Sequence, residues 1–286
     1  MFQSKNFMWI HMMNAKNLRI GILTTALSIF GAGTLHAGYV VAHRGESHLR
    51  PQNTTESMSL AWENGIKYVE GDFHSTKGGD IVCVHVQHEF EEFYGIKKPI
   101  VSLTKEEVAN AKLANKRWEK YNGLPLPKIE DIFKIQPKDG VLVLEIKDMD
   151  ETFMQKVDAA RKANNLPKSA IVFIAFNFNN LVAVKKFDKE YKCLWLYGLN
   201  EKNVKKDLTA EKVIKRVKAA GFEGVDVGGT KFIDEDYVQA FKQANLEFLV
   251  WTVDSDAEAK RLLEIGVDAI TTNRATDMKK KLRLGK

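Results

Sequence analysis

The alternation of two periodicities constrains this chain more than anything else in it. Short apolar runs rich in β-branched residues cover 39–43, 67–72, 141–146, 170–175, 192–196, 224–227, 247–252 and 268–271, the length and composition of buried strands. Amphipathic stretches of helical length follow most of them, at 54–64, 151–164, 179–187, 210–220, 234–244 and 256–265. Gly65, Asn164, Gly221, Asn245 and Gly266 sit where those helices should stop, because glycine and asparagine tolerate the left-handed backbone of a helix end. A strand followed by a helix and another strand needs a crossover, and repeated crossovers make a parallel sheet. Eight such strands in about 250 residues predict an α/β fold of the (β/α)8 TIM-barrel type.

One stretch breaks the rhythm. Lys77-Gly78-Gly79-Asp80 is turn chemistry, so residues 81–86 are expected to run back antiparallel beside the end of the second strand. The next barrel strand begins only at Val141. Residues from about 73 to 130 therefore read as an insertion between the second and third barrel strands, with Tyr94, Trp118 and Tyr121 set among mixed charges.

Residues 1–37 read as a signal peptide ahead of a barrel spanning 38–286. Lys16 and Arg19 make a short basic region, residues 20–33 carry no charge, and Thr34-Leu35-His36-Ala37 leads to Gly38. Basic, apolar, then small is the layout of a secretory address. The apolar run is shorter than the ~20 residues a helix needs to cross a bilayer. The expectation is a periplasmic or secreted mature chain with no stable membrane span, and Met13 is an alternative start. Lys and Arg number 43 against 37 Asp and Glu, and three of the bases lie within 1–37. The remaining excess is too small and too scattered for nucleic acid. Two cysteines, Cys83 and Cys193, exclude a disulfide scaffold and a Cys-based zinc cluster, and leave open whether they pair.

In such a barrel the chemistry sits at the carboxyl ends of the strands. The first strand ends in His43-Arg44-Gly45, the second in Glu70-Gly71-Asp72, the third in Glu145-Ile146-Lys147 and the seventh in Trp251-Thr252. The returning hairpin strand carries His85 back toward Asp72. Side chains alternate along a strand, so Glu70 and Asp72 share a face, as do Glu145 and Lys147, while Val69, Leu144 and Ile146 face the helices. Three carboxylates in one mouth repel and raise one another's pKa. One divalent cation relieves this, and all-oxygen ligation suits Mg2+ or Ca2+ rather than zinc. With Arg44 and Lys147 added, the set suits a phosphate ester. His43 and His85 can serve as base and acid, and Trp251 can floor the pocket. Singly, each residue has an ordinary structural use: a hydrogen-bonded histidine, a Glu145–Lys147 ion pair, a core tryptophan. Structural residues have no reason to collect at the same end of several strands.

These blocks resemble the glycerophosphodiester phosphodiesterase family. Tyr39-Val-Val-Ala-His43-Arg44-Gly45 with Pro51-Gln52-Asn53-Thr54 is similar to the family's opening. Val69-Glu70-Gly71-Asp72, Thr76-Lys77-Gly78-Gly79 and Val82-Cys83-Val84-His85 resemble the next block, and Leu144-Glu145-Ile146-Lys147 the third. Val250-Trp251-Thr252-Val253 and the segment 266–274, which contains Asn273, resemble the C-terminal signature. The resemblance implies a barrel with an insertion after the second strand. It implies His43 and His85 as the acid/base pair, Glu70, Asp72 and Glu145 as metal ligands, and Arg44 and Lys147 on the phosphate. The implied reaction releases glycerol 3-phosphate and an alcohol from a small-molecule glycerophosphodiester.

Two positions depart from the family pattern. Gln52 stands where the family usually has Glu, and Val86 where it usually has Asp after the second histidine. The first removes a charge beside the site, and the second removes a partner near His85. Two other readings compete: phospholipase-D-like action on lysophospholipids or other glycerophosphodiesters, and a non-catalytic binding barrel.

Overall fold

The structure is a computed structural model that describes residues 38–284. The signal peptide expected at 1–37 lies outside the described residues. The strands are β1 (Tyr39–Ala42), β2 (Tyr68–Ser75), β3 (Ile81–Cys83), β4 (Val141–Asp148), β5 (Ile171–Ala175), β6 (Lys192–Gly198), β7 (Gly224–Gly228), β8 (Glu247–Val250) and β9 (Ala269–Thr272). The helices are α1 (Thr55–Glu63), α2 (Gln87–Tyr94), α3 (Lys105–Asn110), α4 (Ile129–Ile135), α5 (Phe153–Ala163), α6 (Phe178–Phe187), α7 (Glu201–Val204), α8 (Ala210–Ala220), α9 (Glu235–Gln243), α10 (Asp256–Glu264) and α11 (Ala275–Leu282). All strands but β3 run parallel to their neighbours, and β1 pairs with both β2 and β9, which closes the ring. The result is the eight-stranded TIM barrel that the alternation predicts.

Pleating sorts each strand into two faces. Val41, Val141, Val143, Val172, Ile174, Leu194, Leu196 and Leu249 fill the barrel interior. The residues between them, such as Val40, Val69, Leu142, Leu144, Phe173, Val225 and Phe248, pack beneath the helices. The inner face therefore carries Val141, Val143, Glu145 and Lys147 in succession up β4. Apolar filling gives way to charge toward the carboxyl end. Among the described residues no helix is long and apolar enough to cross a membrane. Cys83 and Cys193 are both buried free thiols.

The irregular stretch begins as a hairpin. β3 runs antiparallel to the far end of β2, with Phe73 opposite Cys83 and Ser75 opposite Ile81. β2 continues past the expected 67–72 because β3 and β4 supply hydrogen-bonding partners for its last residues. The chain then forms α2 and α3 before α4 returns to cover the barrel. This inserted layer has a core of its own, in which Val84, Phe90, Tyr94, Leu103, Val108 and Leu126 are buried together. It is set apart from the apolar layer between strands and barrel helices.

Because Phe90 is fully buried in that separate core, Phe90→Ala should cost about 3–5 kcal/mol of local stability. The loss should appear as faster amide hydrogen exchange across residues 84–126, with protection of β5–β9 unchanged. Uniformly faster exchange throughout the barrel would contradict a separate inserted core.

Candidate active site

The turn after β1 sets the first residues. Its backbone is left-handed at Arg44 (φ 55°) and Gly45 (φ 78°). A Cβ at Gly45 would stand 2.5 Å from the backbone of Ser57, so α1 can press against this turn only where residue 45 lacks a side chain. The turn aims the Arg44 N–H at Glu70 Oε2, 2.9 Å away. It also brings the guanidinium Nε within 3.1 Å of Asp72 Oδ2.

The register of β2 and β4 sets the carboxylates. Asp72 lies directly opposite Glu145, and Glu70 shares the inward face one pleat below. One carboxylate oxygen from each of Glu70, Asp72 and Glu145 lies within 4.8 Å of the other two, and all three residues are buried. Burial raises the pKa of Glu70, and the charges of Asp72 and Glu145 raise it further. Burial, then Asp72, pushes Glu145 up to about 7 despite Lys147. Burial acts the same way on Asp72, but Lys147 and Arg44 outweigh it and hold that carboxyl below its usual range. Lys147 Nζ stands 3.0 Å from Asp72 Oδ1 and 2.5 Å from Glu145 Oε1, as a charge contact without hydrogen-bond alignment to either oxygen. Glu70 Oε1 is buried with no donor at all. A buried acceptor cluster short of donors has the chemistry to hold a cation.

Two histidines face this cluster. His43 Nδ1 donates to Asn273 Oδ1 at 2.7 Å, and Asn273 is held in turn by Asp254, which accepts from its Nδ2 at 2.7 Å. That chain fixes the proton on Nδ1 and leaves Nε2 bare, 4.0 Å from Glu70. Burial, and then the Arg44 charge, lowers the His43 pKa to about 4, so the ring is neutral at pH 7. His85 follows β3 and lies before α2. Its Nδ1 meets Glu89 Oε1 at 3.0 Å, and its carbonyl accepts from His74 Nε2 at 3.0 Å.

His43, Arg44, Glu70, His85, Glu145, Lys147 and Trp251 line a single cavity of about 250 Å3 at the carboxyl end of the barrel. Asp72 lies just beneath it, its Oδ2 accepting from Asn53 Nδ2 at 2.8 Å. All eight residues expected at the site thus come together. A larger cleft of about 450 Å3 lies at the opposite end, beside Lys67, Lys138 and Lys192, and none of the eight residues expected at the site lines it. Trp251 stands just beyond β8, which ends at Val250, and its Nε1 donates to the Asp226 carbonyl at 3.3 Å.

The family model for the glycerophosphoryl diester phosphodiesterase family matches residues 43–276. The chain belongs to that family. With it comes the enzyme class, the phosphoric diester hydrolases. A curated relative named glycerophosphodiester phosphodiesterase, from Caldanaerobacter subterraneus subsp. tengcongensis, is 28% identical over 82% of this chain and 93% of its own length. The fold is similar to that of an Oleispira antarctica phosphodiesterase solved in complex with the product sn-glycerol-3-phosphate. That match has a TM-score of 0.74 and 21% identity over 86% of this chain and 96% of the other. A protein from Silicibacter pomeroyi, described as a glycerophosphoryl diester phosphodiesterase, matches with the same TM-score at 18% identity over 86% of this chain and 93% of its own.

Sequence reasoning assigned no role to several residues that shape the site. Asn53 and Asn273 lie inside the recognised blocks, but which group each holds depends on strands distant in sequence. Phe176 directly follows β5 and meets Trp251 edge-on at 5.5 Å. Asp226 is buried below the mouth, and its pKa is pushed up to about 8 by burial and then by Glu145. Glu89 comes from the insertion.

The Asn273 contact yields a test. Asn273→Ala frees the His43 ring and its tautomer, so phosphodiester turnover should fall about 10–100-fold while the melting temperature stays within a few degrees. Turnover within twofold of the parent protein would show that the Asp254–Asn273 chain does not orient His43.

Proposed function

We propose that the chain hydrolyses glycerophosphodiesters to glycerol 3-phosphate and an alcohol, with dependence on one divalent cation. The reading is carried by the convergence, at one barrel mouth, of three buried carboxylates, two cations and two histidines in a chain of this family. Glu70, Asp72 and Glu145 would hold the cation, and their unpartnered oxygens fit one. All-oxygen donors suit Mg2+ or Ca2+. When bound, such an ion offsets phosphate charge and that of the developing transition state.

The chain's own residues do the rest. Arg44 and Lys147 bind phosphate oxygens, and their positive charge stabilises the transition state. His43, neutral with a bare Nε2, takes the proton of the attacking oxygen. His85, its Nδ1–H donated to Glu89, presents Nε2 and in its protonated form hands a proton to the departing alcohol. Trp251 and Phe176 form an apolar wall beside the reacting group. Phe176 is 49% exposed at the rim, which favours an apolar group next to the diester and keeps lysophospholipids as the second substrate reading. The basic, apolar, small order of residues 1–37 supports export, so the reaction is placed in the periplasm or outside the cell.

The test is release of glycerol 3-phosphate from glycerophosphocholine and glycerophosphoethanolamine with Mg2+, with Ca2+ and with chelator. Release should need the cation, Glu145→Gln should abolish it, and His43→Ala should lower it at least about 100-fold. No release by folded, cation-loaded protein, with turnover of lysophosphatidylcholine instead, would move the assignment to lysophospholipids. Cation affinity should also depend on pH. With Glu145 near 7, protons compete for the site, so affinity should rise as pH increases through neutrality, with proton release on binding. Calorimetry in buffers of different ionisation enthalpy reads that release, and a pH-independent affinity would show that Glu145 carries no proton near neutrality in the cation-free chain.

A further inference from the structure

Gln52 and Val86 adjoin the groups assigned to catalysis, and neither carries a charge. The structure brings a carboxylate to the same place from α2. Glu89 lies one turn along α2 from His85, its side chain 18% exposed. Its Oε1 stands 3.0 Å from His85 Nδ1 and 3.4 Å from Arg44 Nη1. Its Oε2 accepts from Gln52 Nε2 at 2.6 Å. Gln52 Oε1 in turn accepts from Arg44 Nη1 at 2.9 Å. Val86, the residue before α2, makes no side-chain cap contact.

We propose that Glu89 is a positioning residue that holds both His85 and Arg44, and that it supplies the negative charge that neither position 52 nor position 86 carries. The proposal rests on the reading of His85 and Arg44 given above. An ionised carboxylate accepts only, so one His85 hydrogen sits on Nδ1 and Nε2 is the nitrogen left to take up and give the second proton. The same carboxylate gives the Arg44 guanidinium a second anionic partner besides Asp72, which limits the directions it can point. Gln52 suits this arrangement because its amide donates to Glu89 and accepts from Arg44. A glutamate there would oppose Glu89 as a like charge. Burial works against the charge on Glu89, but His85 and Arg44 outweigh it and keep the group ionised below its usual range. Because His85 and α2 both belong to the insertion, one layer supplies the histidine and its orienting group.

The experiment compares the full chain with Glu89→Leu and with Gln52→Glu/Glu89→Leu, all cation-loaded. Turnover is measured by release of glycerol 3-phosphate. The His85 tautomer is read from its imidazole 15N shifts in mildly alkaline solution, assigned against His85→Gln. Glu89→Leu should lower kcat about 10–100-fold and raise KM, with cation affinity and melting temperature unchanged. The His85 signal should move from the Nδ1–H toward the Nε2–H form. Returning a carboxylate next to Arg44 through Gln52→Glu should restore KM and leave kcat low, a split that a merely structural helix residue would not produce. A kcat for Glu89→Leu within twofold of the parent, or an unchanged tautomer, would overturn the proposal. If the parent chain releases no glycerol 3-phosphate, the substrate reading fails and the tautomer alone decides the role of Glu89.

Discussion

Mutual repulsion among Glu70, Asp72 and Glu145 governs the upper half of this molecule. Three carboxylates buried within 4.8 Å of one another are costly in a barrel interior otherwise filled by valine, isoleucine and leucine. The surroundings are arranged against that cost. Lys147 leans between Asp72 and Glu145, Arg44 reaches Asp72 through its guanidinium and Glu70 through its backbone, and Asn53 donates to Asp72 and accepts its backbone N–H. The left-handed turn at Arg44 and Gly45 exists to deliver two of those contacts. Even the neutrality of His43 follows in part, since the Arg44 charge that steadies the carboxylates also disfavours an imidazolium beside it.

Most of this was legible in the sequence because it depends on short-range geometry. Period-two alternation is enough to place Glu70 with Asp72, and Glu145 with Lys147, on an inward face, and strand–helix rhythm is enough to say which end they occupy. Asn273 and Asn53 were visible as residues but not as contacts. The partner of each lies far away along the chain: His43 for the first, Asp72 for the second. The end of β2 is not visible in the sequence for a related reason. Its last residues are polar or small, and only pairing with β3 and β4 makes them strand. Val86 reads as a loss in the sequence alone. The structure shows a carboxylate at the same histidine, brought by a helix rather than by the next residue.

The inserted layer forms one wall of the cavity. It is held to the barrel by the β2–β3 hairpin and by polar contacts from α2 to the β1 turn, and it carries an apolar core of its own. The barrel supplies His43, the acidic cluster, Arg44 and Lys147. The insertion supplies His85, with the His85 carbonyl anchored to the barrel by His74, whose other nitrogen meets Asp148 at 2.6 Å. The cavity is therefore a seam between two packing units.

A seam of this kind separates two evolutionary problems. Substitutions inside the inserted core can alter the shape and approach of one wall without disturbing the hydrophobic fit that folds the other, because the two cores share few side chains. Residues remote from the carboxylates can thus reshape the cavity wall that carries His85. The contact between His85 and Glu89 lies at the edge of that inserted layer, where the two packing units meet.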